Sequence, residues 1–279
     1  MKSPKLPILK VPPSNLHAIP LLLGILALIG GCGKEVERVS GKGESGRVRH
    51  ATPRDAKQSD AVPDTKRPDR PRASLPPKPR TVRQVVDALL PAVTLRFARL
   101  FRAAHLSWPP RGLTLIGLKK ERSLEVWCEE GERRFRIATY RITAASGAMG
   151  PKRQQGDRQV PEGTYGLPYL NPNSTYHLSI LVDYPNSGDV ANAIVPRARM
   201  GGDIYIHGDR RSIGCIAIGD LSIEELFVMC AITPADTRRI IIAPLDLRVD
   251  RAPHSGSPWI RRLYKDIARE MRPYRDHRR

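Results

Sequence analysis

Leu113-Thr-Leu-Ile-Gly117-Leu-Lys-Lys-Glu-Arg-Ser123-Leu-Glu-Val-Trp-Cys128-Glu-Glu-Gly-Glu-Arg-Arg-Phe135-Arg-Ile-Ala-Thr-Tyr-Arg-Ile142 is the stretch that decides the architecture. Leu113–Gly117, Ser123–Cys128 and Phe135–Ile142 are short runs of Leu, Ile, Val, Trp and Tyr separated by charged turns, which is the signature of strands. Glu130-Gly131-Glu132 reads as a hairpin turn between two of them. Working outward, further strands are expected at His177–Asp183, Asp203–His207 and Arg239–Ala243. A helix is expected over Ser222–Ala231, with Ser222 as its cap and Glu224-Glu225 in its first turn. Upstream, Val82, Val85, Val86, Leu89 and Leu90 recur at helical spacing until Pro91. A second helix follows through Leu95, Ala98, Leu100 and Ala103-Ala104, closed by Pro109-Pro110. The class expected is mainly β with minor α (α+β), over about 170 residues, with a short helical segment at its start.

The chemistry concentrates in Ile204-Tyr-Ile-His207-Gly208-Asp-Arg-Arg-Ser212-Ile-Gly214-Cys215-Ile216. A thiol is a weak nucleophile until ionised, and a neighbouring imidazole takes its proton and stabilises the thiolate. Gly214 before Cys215 lets the backbone turn sharply, so that amide N–H groups can face a developing oxyanion. His207 and Cys215 lie eight residues apart with Gly208 and Gly214 between them, which permits a loop that brings both side chains into one pocket. Spacing alone does not separate such a pair from two unrelated residues.

His207-Gly followed by Ser212-Ile-Gly-Cys215 resembles the L,D-transpeptidase catalytic domain (YkuD-type) family. Gly156-Asp157-Arg-Gln-Val-Pro161-Glu162-Gly163-Thr-Tyr165 resembles the family's Gly-Asp…Thr-Pro-x-Gly-x-Tyr stretch, and Leu124-Glu-Val-Trp127 its opening strand. Lys119–Trp127, Leu170–Ser179 and the short His–Cys spacing resemble the YafK-like branch in particular. The chain departs from the commoner motif in having Ile213 where His usually precedes Gly-Cys, and Ile216-Ala217 where Arg or Asn is frequent. The resemblance implies an L,D-transpeptidase-type β-sandwich and thiol acyl transfer on peptidoglycan stem peptides without a metal or organic cofactor. Cys215 would be the nucleophile, His207 the base and then the acid. The amides of Gly214 and Cys215 would form the oxyanion hole, Ser212 would orient His207 or touch substrate, and Gly208 would help line the pocket. An amine, including one on an envelope protein, would resolve the thioester. Water is the alternative resolving group, since some YafK-like relatives are hydrolases that cut such links.

Beyond this domain the composition changes. The 279 residues carry 47 Lys and Arg against 28 Asp and Glu, a formal charge of +19. Residues 1–31 have a basic start, an apolar Ile19–Ile29 and small residues, which read as a signal peptide. Eleven residues at about 1.5 Å each reach only about 16 Å, too short to span a membrane. Leu28-Ile-Gly-Gly-Cys32 resembles a lipobox, which implies lipidation of Cys32 and, with Gly33 next, an outer-membrane anchor facing the periplasm. An ordinary signal with an incidental Cys is the alternative. Residues 32–80 hold seven prolines and no aromatic, so a basic tether that does not pack on the domain is expected, with the catalytic region at 81–250 (81–110 its helical lead-in) and a basic extension at 251–279. The charge is spread rather than clustered and few aromatics are available for stacking, which argues against a nucleic-acid partner. A zinc site built on His207 and Cys215 lacks any Cys-x2-Cys or His-Glu-x2-His support. Cys128 and Cys230 read as buried thiols, with a mutual disulfide as the alternative. His177 reads as a solvent-facing strand residue.

Overall fold

The computed structural model describes residues 74–275, so Cys32 and the signal and tether up to residue 73 lie outside the described residues. Two sheets carry the domain. The first has strands β1 (Gly112–Leu118), β2 (Ser123–Glu130), β3 (Arg133–Arg141), β4 (Gly163–Gly166) and β9 (Arg238–Ala243), in the order β3-β2-β1-β9-β4. The second has β5 (Leu170–Asn171), β6 (Ser179–Leu181), β7 (Tyr205–His207) and β8 (Ile216–Ala217), in that order. The β1–β9 and β7–β8 pairs are parallel and the rest antiparallel. Leu113, Leu115 and Val126 of the first sheet and Ile180, Ile206 and Ile216 of the second share one hydrophobic cluster with helices α1 (Val82–Ala103) and α3 (Asp220–Ile232). The α+β class expected from the sequence is the one observed.

The two expected N-terminal helices are one. Helix α1 runs through Pro91, which lies on the exposed side, while Val85, Leu89, Val93, Phe97 and Phe101 form an unbroken buried stripe. An interior proline costs about 3 kcal/mol, but each buried apolar side chain contributes about 1.5–3 kcal/mol, so five on one face outweigh the lost bond. The second helix α2 (Ser187–Ala191) is a single turn after β6 that the composition did not announce. Helix α3 starts two residues earlier than expected. Gly219 occupies the cap, and Ser222, expected there, is buried inside the first turn. His177 is not on a strand: β6 begins at Ser179, and His177 has φ +73° with its Nε2 2.7 Å from Glu224 Oε1.

Both ends of the expected domain extend further than composition suggests. The C-terminal residues form helix α4 (Pro258–Met271), whose Tyr264, Ile267 and Met271 join Tyr274 in packing against Ile116, Trp127 and Ile241. At the other end, residues 75–80 are bound to the domain rather than free of it. Leu75 packs on the main cluster, and Arg80 is 8% exposed. The Arg80 guanidinium donates to the carbonyls of Pro172 (2.8 Å), Pro76 (3.1 Å) and His177 (3.1 Å). The Asn173 side chain bonds both the N–H and the carbonyl of Arg80. Charge and proline content hid this, because a buried arginine with carbonyl partners reads in sequence like any solvated one.

Hydrogen bonds to a charged group are worth about 1.5–3 kcal/mol each, and about 1 kcal/mol moves the melting midpoint of a domain this size by 2–4 °C. A chain beginning at Thr81 should therefore melt roughly 5–10 °C below one beginning at Ser74, measured by calorimetry. Equal midpoints would show that the Arg80 contacts contribute nothing.

Candidate active site

The parallel pairing of β7 with β8 sets Ile206 beside Ile216 and His207 beside Ala217. One step back along both chains puts Cys215 beside Tyr205, whose backbone amide acts on the thiol. Side chains alternate across a strand, so the buried Ile206 and Ile216 face the core while Tyr205, His207, Cys215 and Ala217 share the other face. A strand separation of about 4.8 Å and a two-residue rise of about 6.6 Å set the Cα atoms of His207 and Cys215 about 8 Å apart. That is within reach of an imidazole and a thiol.

His207 is 1% exposed, and its Nδ1 lies 2.6 Å from the Gly208 carbonyl oxygen. A carbonyl only accepts, so Nδ1 carries the proton and Nε2 is left as the basic nitrogen. Burial lowers the His207 pKa, partly countered by the Gly208 carbonyl and by the charge of Asp209. The half-buried Cys215 Sγ donates to the Asp203 carbonyl at 3.6 Å. Burial pushes its thiol up. The Tyr205 amide and Lys152 pull it back, while Asp203 adds to the rise. Both shifts favour the neutral forms at rest, a neutral imidazole and a neutral thiol whose proton is directed to the Asp203 carbonyl.

The other sequence-chosen residues shape the loop. Ser212 donates its hydroxyl to the Cys215 carbonyl, closing the turn around the nucleophile instead of reaching His207. Gly214 has φ +94°, which favours glycine, and its amide donates to Ser146 Oγ at 2.6 Å. That engagement removes Gly214 from the expected oxyanion pair and leaves the Cys215 amide as the candidate from that pair. Gly208 supplies the carbonyl that fixes His207. A Cβ there would come within 2.6 Å of Asp220 Oδ1 and 2.9 Å of the Tyr176 carbonyl oxygen, so only glycine fits. Ile216 and Ala217 are buried in β8 and cannot be the substrate contacts that Arg or Asn provide in the commoner motif, whereas Ile213 is 79% exposed at the rim.

Sequence reasoning missed Ser146, Lys152 and Tyr176. Ser146 Oγ donates to the Arg158 carbonyl (2.7 Å) while accepting from Gly214, which ties the nucleophile turn to the segment leaving β3. Lys152 Nζ is held by Asp157 Oδ1 (2.6 Å) and the Gln154 carbonyl (2.9 Å), so Asp157 of the Gly-Asp motif holds a cation that acts on the thiol. The Tyr176 ring lies on the His207 imidazole. Each works through a neighbour distant in sequence, and no spacing rule signals that. Cys128 and Cys230 are separate buried thiols, each pushed up to about 12 by burial.

Cys215 should accordingly be the first of these three cysteines to react with iodoacetamide, at a rate still rising above pH 9, while Cys128 and Cys230 stay unmodified until far higher pH. Peptide mass mapping of the alkylated chain reads this directly. Prior modification of Cys128 or Cys230 would contradict the burial described.

Residues 115–242 match the family model of the L,D-transpeptidase catalytic domain, YkuD. The chain is 38% identical over 111 residues to YafK of Escherichia coli strain K12, an alignment that covers 39% of this chain and 43% of that protein. It thus spans less than half the length of that relative. Among solved structures, the helical cell shape determining protein Pgp2 of Campylobacter jejuni is 18% identical, covering 61% of this chain and 60% of its own at a TM-score of 0.40. Bd1075 of Bdellovibrio bacteriovorus is 20% identical, with 58% and 56% covered and a TM-score of 0.37. Residues 115–242 are thus similar to the YkuD-type L,D-transpeptidase catalytic domain.

Proposed function

We propose that this domain is a cell-wall L,D-transpeptidase that acts on peptidoglycan stem peptides through a thioester on Cys215. The observation that supports this most is the bond from His207 Nδ1–H to the Gly208 carbonyl, which reserves Nε2 for the thiol on the same face of the sheet. As Sγ attacks the carbonyl carbon of the L-centre of a meso-diaminopimelate residue, its proton passes to Nε2. The carbonyl oxygen becomes an oxyanion facing the Cys215 amide. The amide C–N bond then breaks, the imidazolium returns its proton to the leaving amine, and a D-residue departs. An incoming amine attacks the thioester, giving its proton to His207; a new amide bond replaces the C–S bond, and the imidazolium returns that proton to the departing Cys215 sulfur. An amine on a second stem peptide or on an envelope protein serves equally as acceptor.

Cys215→Ser should abolish turnover of tetrapeptide muropeptides while leaving the melting midpoint in place, because a hydroxyl is far less acidic than a thiol. Robust activity in the folded Ser variant would exclude the thioester. Product masses separate the resolving groups: a cross-linked product reports an amine, a shortened free acid reports water and the hydrolase alternative. Since burial lowers the His207 pKa, kcat/KM should fall on the acid side only below about pH 6.5, the ordinary imidazole value. A limb centred above that value would contradict the buried neutral imidazole.

The envelope location that goes with such an enzyme rests, in this reading, on lipid carried by Cys32, which lies outside the described residues. Two or more acyl chains anchor firmly where one does not. Cys32→Ala should release the protein from the membrane fraction or block its processing. Unchanged fractionation and processing would dismiss Cys32 as the anchor.

A further inference from the structure

His207 takes a proton during the proposed acyl transfer, yet the partner on its Nδ1 is a neutral backbone carbonyl, a weaker support for an imidazolium than a carboxylate would be. The ring of Tyr176 lies over the imidazole with a centroid separation of 4.7 Å and a 31° tilt. This is stacking geometry, and an aromatic face attracts a cation placed over it. Tyr176 is 41% exposed, so its ring is held there by its backbone rather than by burial.

The backbone is held from four sides. The Tyr176 amide donates to Ser174 Oγ (3.1 Å), and the Gly208 amide donates to the Leu178 carbonyl (3.2 Å), joining the loop to the residue after His207. His177 Nε2 meets Glu224 of α3 at 2.7 Å. Arg80 grips the carbonyls of Pro172 and His177 on both sides of Tyr176, Asn173 closes on the Arg80 backbone, and Lys78 donates to the Ser174 carbonyl. These contacts cross 92 to 97 residues of sequence to bind one loop of the active site.

We propose that Tyr176 is a positioning residue for His207, its ring fixing the imidazole plane and supporting the imidazolium, and that the Arg80 clasp sets the Tyr176 loop. The last residues before the catalytic domain therefore reach the base through two contacts, Arg80 to the loop and the loop to the ring. The inference rests on the acyl-transfer reading for its purpose but not for its geometry.

Asp209 acts on His207 from its own loop, Asp220 of α3 accepts from the Asp209 amide, and His177 pairs with Glu224 of α3; the variants below leave these unchanged, and Tyr176→Phe controls for loss of the Tyr176 hydroxyl. In the full chain, the His207 titration midpoint by NMR and the alkylation rate of the Cys215 peptide at pH 7 are measured for each variant. Tyr176→Phe keeps the ring and should match the native chain within twofold. Tyr176→Leu keeps the water exclusion but removes the π face; less support for the charged form lowers the midpoint by about half a pH unit. It should also slow alkylation severalfold with KM for muropeptide unchanged. Tyr176→Trp, with a stronger face, should raise the midpoint. Arg80→Lys should move both readouts in the direction of Tyr176→Leu, by less, and should have no further effect in the Tyr176→Leu background. A native midpoint and rate in Tyr176→Leu, a fall in Tyr176→Phe equal to that in Tyr176→Leu, or an undiminished Arg80→Lys effect in the double variant would each overturn the proposal. The NMR midpoint needs no turnover, so failure of the acyl-transfer reading would show separately, as activity that survives Cys215→Ser.

Discussion

Two residues of parallel pairing, Ile206 with Ile216 and His207 with Ala217, hold the functional side of this molecule together. A parallel pair needs a connection that leaves one strand end and returns to the other. Here that connection is the short loop 208–215, which must reverse twice. Its turns are taken at Asp209 (φ +58°) and Gly214 (φ +94°). Ser212 closes it from inside and Ser146 from outside. Had the strands paired antiparallel through a tight hairpin, His207 and Cys215 would have faced each other only by accident of register. The parallel arrangement fixes them on one face because both lie an odd number of residues from their core-facing isoleucines.

The electrostatics follow from that placement. Burial acts on the imidazole and the thiol in opposite directions on the pKa scale but with one result, the neutral form of each. The fold then adds small corrections. The Gly208 carbonyl and Asp209 favour the imidazolium, and the Tyr205 amide and Lys152 favour the thiolate, with Asp203 working against it. Both shifts keep the proton on sulfur at rest. The thiol is thereby less exposed to oxidation than a preformed thiolate would be.

What was legible in the sequence was whatever repeats locally. The strands β1 to β3 and β9 show short apolar runs bounded by charged residues and fall within a few residues of where those runs put them. The His207 and Cys215 stretch carries its glycines at the positions where the backbone turns. The short strands β4, β5 and β8 have two to four residues, too few for any periodicity. Pro91 reads as a break because helix propensity is local, while the buried stripe that overrides it is tertiary. Residues 32–80 and 251–279 read as a basic tether and a basic extension because charge, not packing, is what their composition displays. Yet α4, with six charged residues among its 14, buries Tyr264, Ile267 and Met271 on one narrow face. Tyr176 and Ser146 were invisible for a different reason: each matters through one partner brought close only by the fold.

Glu162 shows how a motif residue can serve structure beside a site of chemistry. It belongs to the Pro161-Glu-Gly-Thr-Tyr165 stretch and is fully buried, with its carboxylate 2.9 Å from Lys119 Nζ, accepting from the Gly150 amide (2.7 Å) and from Tyr264 of α4 (2.9 Å). A buried carboxylate is costly unless paired and hydrogen-bonded, and here every partner comes from a different part of the chain. Lys119 follows β1, Gly150 precedes Lys152 in the loop that carries a cation toward Cys215, and Tyr264 is on the terminal helix. Burial draws the Lys119 pKa down while the charge of Glu162 holds it up, so the pair survives only as a pair. Removing Glu162 would strand the buried Lys119 charge and leave the Gly150 amide and the Tyr264 hydroxyl without this acceptor. The loss would reach Lys152 through the backbone. Helix α4 is thus tied by a hydrogen bond to the segment that shapes the thiol's surroundings, and Tyr264, Ile267, Met271 and Tyr274 pack it on the first sheet.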